Sequence, residues 1–317
     1  MRRYGRLRGD DIESICDGPD LWVDDAQQLS AGALGLRVEW AHLPGLSVYV
    51  FRYGAALRIA TECVADGVIL NLCLASDSAP RIGPSSIDEA DVHFQSRTDH
   101  LDDSVPERTE VLAVHVDASL ARELGWSDER PAVVRGCIGA NRGLVAASRR
   151  ALEVCARLAG PSDGDHGVAL ALRDSILARL GDVLAACGTP RQAASDERPV
   201  RRAYDLVLST EEIDAAAPAD ARPSVPELAA HLDVSQSTLH RAFERWTGMP
   251  PARYLGVRRL HRFRRALLAE VPVRGAITRA AIASGYDHLG RLSADYRRHF
   301  GESPSATLDR VTRSVGP

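Results

Sequence analysis

Residues 224–246, SVPELAAHLDVSQSTLHRAFERW, constrain the fold more than any other stretch, because they read as two short helices joined by a tight turn. Ser224 followed by Glu227 has the spacing of a capping box, and Pro226 sits in the first turn, where its missing amide does no harm. Leu228, Ala229 and Leu232 supply one apolar face. Asp233 and Val234 break the pattern, and Ser235 can cap a second helix whose Leu239, Phe243 and Trp246 recur at helical spacing. At about 100° per residue, Ser237, His240, Arg241 and Glu244 gather on the opposite face. Gln236, Ser237, His240 and Arg241 are therefore candidate base-reading residues, since a helix entering the major groove reads from its N-terminal half. Taken alone, the stretch fits an ordinary helical hairpin with a polar outer face equally well.

A second copy tips that balance. Residues 277–284 can form a helix, Gly285 supplies a permissive turn, and a helix over 288–300 carries Leu292, Tyr296 and Phe300 along one side. Gly290, Arg291, Ala294, Arg297 and Arg298 gather on the other side and are the second candidate DNA-binding set. Residues 251–268 read as one connecting helix of about 27 Å, long enough to hold two reading helices in successive major-groove faces about 34 Å apart.

The ordered series Leu228, Ala229, Leu232, Val234, Ser235, Leu239, Arg241, Phe243, Gly248 and Pro250 resembles the first half of the DNA-binding domain of the AraC/XylS family of bacterial transcription regulators. Tyr254, Leu255, Arg259 and Leu260, then Ala281, Gly285, Tyr286, Leu292, Tyr296, Phe300, Gly301, Ser303 and Pro304, continue it, so that the resemblance covers about 198–309. Three positions depart from the pattern: Phe263 replaces the usual Ala, Ala280 a branched aliphatic, and Ala294 a residue that often reads bases. Sequence discrimination is accordingly expected to rest on Ser237, His240 and Arg241, with the second helix gripping phosphate through Arg297 or Arg298. The resemblance implies a promoter or operator in double-stranded DNA and RNA polymerase as partners, and activation more often than repression.

Charge divides the chain in the same place. From Ser224 onward there are 15 arginines against 8 carboxylates, whereas the remainder has 24 against 35; no lysine occurs. The six cysteines show no CxxC pairing, so neither a disulfide framework nor a zinc site is expected. Without an apolar run of about 18 residues or a signal-peptide pattern, the expected location is the cytoplasm, away from any membrane.

Upstream, short apolar runs separated by Gly, Pro and Asp predict strands over 36–42, 46–53, 56–63, 68–75, 90–95 and 111–116. They suggest a small β-barrel or double sheet, and 36–120 is similar to the cupin-like regulatory domain of many AraC-type proteins. His42, His93, His100 and His115 are scattered rather than paired for a metal, although His93 and His115 could meet across neighbouring strands. No catalytic motif and no cofactor site are read. A short helix follows Asp117, then a helical hairpin over about 141–187 that could pair with a second copy or simply cover the barrel.

The expected class is thus α+β, with a regulatory domain over 1–188, a linker over 189–199 and an all-α DNA-binding domain with two helix-turn-helix motifs over 200–317. The leading reading is a non-enzymatic, homodimeric transcription regulator answering to a small-molecule effector. Alternatives are a DNA-binding module fused to a barrel enzyme, or a regulator controlled by protein contacts.

Overall fold

The computed structural model describes residues 4–10, 12–13, 25–62, 67–83, 85–96, 100–125, 133–134, 138–158, 165–186, 197–219, 221–271, 273–286 and 288–314. The chain forms two compact units, one of residues 1–26 and 34–194, the other of residues 27–33 and 195–317.

The strands are β1 (Tyr4–Gly9), β2 (Asp25–Gln28), β3 (Leu36–Leu43), β4 (Leu46–Tyr53), β5 (Leu57–Glu62), β6 (Gly67–Ala75), β7 (Arg81–Ile82), β8 (Ser85–Ser86), β9 (Val92–Ser96), β10 (His100–Val105), β11 (Thr109–Asp117) and β12 (Val133–Val134). They make a seven-stranded sheet in the order β1-β3-β4-β11-β6-β9-β12 and a five-stranded sheet in the order β2-β5-β10-β7-β8. Each sheet has two ends among the described residues, so the expected barrel is not closed. The reason lies in pairing: β5 and β10 bond to each other from Leu57↔Val105 to Glu62↔His100 instead of extending the larger sheet.

Alternation along the large sheet sorts its side chains. Val48 and Val50 on β4, Leu70 and Leu72 on β6, Phe94 on β9 and Leu112 and Val114 on β11 point one way, into a core shared with helices α2 (Ile138–Arg157) and α3 (Asp165–Ala186). Leu144, Ala151, Leu152, Ile176, Leu180 and Val183 of the hairpin are all buried there. The apolar stripe that could have paired with a second copy therefore covers its own sheet. Helix α1 (Ala118–Glu123) begins where expected, with the Asp117 carboxylate accepting from the Leu120 amide at 2.9 Å.

The second unit contains helices α4 (Glu197–Ala216), α5 (Val225–His231), α6 (Gln236–Thr247), α7 (Pro251–Leu268), α8 (Ala276–Ala283), α9 (Leu289–Phe300) and α10 (Pro304–Ser314). α4 starts inside the expected linker. Its last turns are held by buried ion pairs: Glu211 with Arg258 at 3.0 Å, and Asp214 with Arg222 and Arg262. Residues 27–33, far away in sequence, pack into this unit. The Gln28 carbonyl accepts from Nε2 of both His261 and His299 at 2.9 Å, and the Gly32 amide donates to the His299 carbonyl at 3.0 Å.

Of the cysteines, Cys73 and Cys155 are described; both are buried and neither is in a disulfide. Among the described residues no helix is long and apolar enough to cross a membrane, and no three side chains are grouped to hold a metal ion.

Candidate nucleic-acid interface

Both helix-turn-helix motifs are made by the same local chemistry. In the first, the Glu227 carboxylate accepts from the Ser224 amide and hydroxyl at 2.7 Å; these bonds hold its pKa below the usual glutamate value. The helix then ends with Asp233 at φ 51°, which lets the Val234 amide donate back to the Ala229 carbonyl at 3.0 Å. In the second, Gly285 takes φ 77° and the Tyr286 amide donates to the Ala281 carbonyl, again at 3.0 Å. Only glycine fits at 285: a Cβ there would lie 2.2 Å from the Ala219 carbonyl oxygen. Each reading helix stops at a left-handed glycine, Gly248 or Gly301.

The second helices of the two motifs correspond residue by residue. Leu239, Phe243 and Trp246 of α6 and Leu292, Tyr296 and His299 of α9 are the buried sides. Opposite them Gln236, Ser237, His240 and Arg241 are exposed on α6, and Gly290, Arg291, Ala294, Arg297 and Arg298 on α9. Ser235 caps α6 by accepting from the Thr238 amide at 3.1 Å, leaving Gln236 and Ser237 in its first turn. Arg241 lies back along its own helix, with Nε donating to the Ser237 carbonyl at 3.3 Å, and His240 sits 3.5 Å from Glu244. On α9 the position equivalent to Arg241 is Ala294, while Asp295 engages both Arg298 at 3.1 Å and Arg291 at 3.8 Å.

Phe263 and Ala280, the two departures within the core, fall in one buried cluster with Ala281, Leu292 and Tyr296. The Phe263 ring meets Tyr296 edge-on at 5.4 Å. A larger side chain on α7 is thus accompanied by a smaller one on α8, which conserves core volume. Arg264, buried in the same region, donates to the Tyr296 hydroxyl at 2.8 Å and to Glu302 at 2.7 Å, fixing α9 and α10 against α7.

A group of arginines on α7 was not among the candidate DNA-binding residues. Arg253 and Arg259 line a cleft of about 760 Å³ together with Arg291, Arg298 and Asp295 of α9. No apolar periodicity marks these α7 positions, and only the packing of α7 beside α9 brings the four guanidinium groups to one place.

A second candidate site lies on the other face of the seven-stranded sheet, where register places Tyr49, Ala113, Asn71 and His93 in one row and Ser47, His115, Ile69 and Gln95 in the next. His93 and His115 therefore do not meet across neighbouring strands, because β6 runs between them. Along β4 the rings of Tyr49, Phe51 and Tyr53 stack at 6.0 and 6.1 Å. Both ring nitrogens of His93 and the Gln95 amide nitrogen are buried without a hydrogen-bond partner among the described residues. Burial pushes the His93 pKa down to about 3, so the ring is neutral. Asp103 of β10 is pushed up to about 8, by burial first and then by the adjacent Asp102 charge, which is itself paired with Arg58 at 2.7 Å.

Residues 228–310 match a family model described as a helix-turn-helix domain. A XylDLEGF operon transcriptional activator of Pseudomonas putida is 35% identical over 92 residues, 29% of this chain and 29% of its own. A probable thc operon regulatory protein of Rhodococcus erythropolis is 33% identical over 88 residues, 28% of this chain and 26% of its own. The match spans less than a third of the length of either relative. Among solved structures, the AraC-like transcriptional activator CuxR aligns over 89% of this chain and 99% of its own, at 13% identity and a TM-score of 0.45.

Proposed function

From the premise that the C-terminal residues form a helix-turn-helix domain of the AraC type, we propose that the protein is a transcription regulator, most simply an activator, that reads a promoter site with α6 and α9. The observation that carries this reading is the exposure of Gln236, Ser237, His240 and Arg241 on a helix whose opposite side is locked in the core. Arg241 is the main discriminator: released from its own helix, it can pair with guanine at two points, whereas Ala294 at the equivalent place on α9 offers no hydrogen bond. The second reader contributes phosphate contacts through Arg297 or Arg298. RNA polymerase would be engaged from the bound promoter, as the description of the Pseudomonas relative as an activator suggests.

The sheet unit is proposed to receive a small-molecule effector, in the manner of a cupin-like regulatory domain. Buried hydrogen-bonding groups at His93 and Gln95 of β9, on the same face of the sheet as Tyr49 but with β6 and β11 between, support this, because an uncharged planar molecule could satisfy them. Such a ligand acts only if it binds two states of the protein with different affinity. A homodimer through the hairpin would have to use its outer face, where Leu158 and Val168 are exposed, since the inner stripe is buried in the sheet core.

Binding of the full chain to DNA selected from a random-sequence pool tests the reading. The expected outcome is a recovered consensus, with Arg241→Ala relaxing one base position at a loss of about 1–3 kcal/mol of discrimination. Recovery of no consensus, or a consensus unaltered by Arg241→Ala and erased by Arg291→Ala, would overturn the assignment.

A further inference from the structure

The cleft between α7 and α9 extends beyond the base-reading residues, and its lining carries four arginines. Arg253 and Arg259 approach from α7, Arg291 and Arg298 from the edge of the α9 reading face, and Asp295 is the carboxylate among the lining residues. Asp295 already lies within 4 Å of Arg291 and Arg298, which leaves the α7 pair as the uncompensated charge of the lining. Arg259 is held ready: its guanidinium lies 5.7 Å from the centre of the Tyr286 ring, and its buried Nε has no hydrogen-bond partner among the described residues. The neighbouring Tyr286 ring restricts the Arg259 side chain, so that less of its freedom is lost when an anion arrives. Gly256 keeps the floor open, for a Cβ at that position would meet nothing within 4 Å.

We infer that this cleft is a phosphate-binding site for the DNA backbone, with Arg253 and Arg259 clamping the strand that passes the α9 reader. The inference rests on the DNA-reading function proposed above and adds to it. Charge complementarity argues for phosphate, and continuity with the α9 reading face, which shares Arg291 and Arg298 with the cleft, argues that the phosphate belongs to bound DNA. The consequence is a division of labour within the second half of the domain. α9 is placed over the groove largely by α7, and its poverty in base-reading side chains is matched by backbone contacts that carry no sequence information.

The test is the salt dependence of affinity, because each neutralised phosphate contributes about 0.9 to the slope of log K against log salt. Full-length protein would be titrated by fluorescence anisotropy against a mixed-sequence 30-bp duplex between roughly 50 and 200 mM KCl. Arg253→Gln with Arg259→Gln should lower the slope by about 1.8 and weaken binding to every sequence alike. Gly256→Glu, which places a carboxylate in the open floor without touching any arginine, should weaken binding in the same direction. Should Arg259→Gln impair folding, as judged by circular dichroism, Arg253→Gln alone should still lower the slope by about 0.9. An unchanged slope and affinity in folded Arg253→Gln and Gly256→Glu would overturn the inference. If Arg241→Ala still altered sequence preference in that case, the reading function would stand without the clamp; absence of any salt-dependent DNA binding by the wild type would remove both. ATP serves as the probe for a free phosphate ligand. A melting shift with ATP that is lost in Arg253→Gln, alongside an unchanged DNA slope, would overturn the DNA assignment.

Discussion

Replacing Gly285 by alanine isolates how the second helix-turn-helix is built. Gly285 holds φ 77°, and an added Cβ would sit 2.2 Å from the Ala219 carbonyl oxygen and 3.2 Å from its carbon. Two costs combine. A left-handed conformation for a residue with a Cβ costs roughly 1–2 kcal/mol. Displacing packed backbone costs roughly 1–3 kcal/mol more. Gly301 separates them, since it takes φ 74° at the end of α9 but its Cβ would meet nothing within 4 Å. Gly301→Ala should therefore lose about 1–2 kcal/mol and Gly285→Ala about 2–5 kcal/mol. Urea titration of the full chain by circular dichroism measures both, with DNA binding reporting on the same unit. Equal losses in the two variants would refute the close approach of the α4–α5 connection to this turn.

Acid should unfold the second unit through its buried histidines. Burial, aided by His299, Arg265 and Arg264, holds His261 down at about 3 against the opposing bond to the Gln28 carbonyl. A lowered folded pKa means that stability is full above about pH 6.5, where the unfolded ring is also neutral, and falls as pH drops towards about 3 by up to about 1.4 kcal/mol per unit. His261→Gln should flatten the loss measured between pH 6 and pH 5; an unchanged slope would contradict the burial of the neutral ring. Asp214→Ala should cost up to roughly 3–5 kcal/mol, because it removes a buried carboxylate and leaves the partly buried guanidinium groups of Arg222 and Arg262 without it, a loss read directly in the urea midpoint.

Legibility in the sequence followed the range of the interactions. Strands β3, β4, β6 and β11 were readable from their apolar runs, but β10, HLDDSV, was not, because its buried Asp102 is balanced by Arg58 from another strand. Hydropathy cannot report such a partner. The end of α4 was not legible for the same reason, since Glu211 and Asp214 look like solvated helix-end residues until Arg258, Arg222 and Arg262 are brought to them. The exposure of the candidate positions on α6 and α9 was legible, because it depends on helical periodicity alone.

By itself, then, the sequence determined the helix starts at Ser224 and Ser235, the turn at Gly285, and the exposure of the nine candidate positions, all set by interactions within a few residues. Only the tertiary structure decided that the sheets stay open, that the hairpin stripe covers its own sheet, that residues 27–33 belong with the DNA-binding helices, and that Arg253 and Arg259 share a cleft with α9. Each of these joins residues distant in sequence, and the energy that favours them exists only once the chain has brought the partners together.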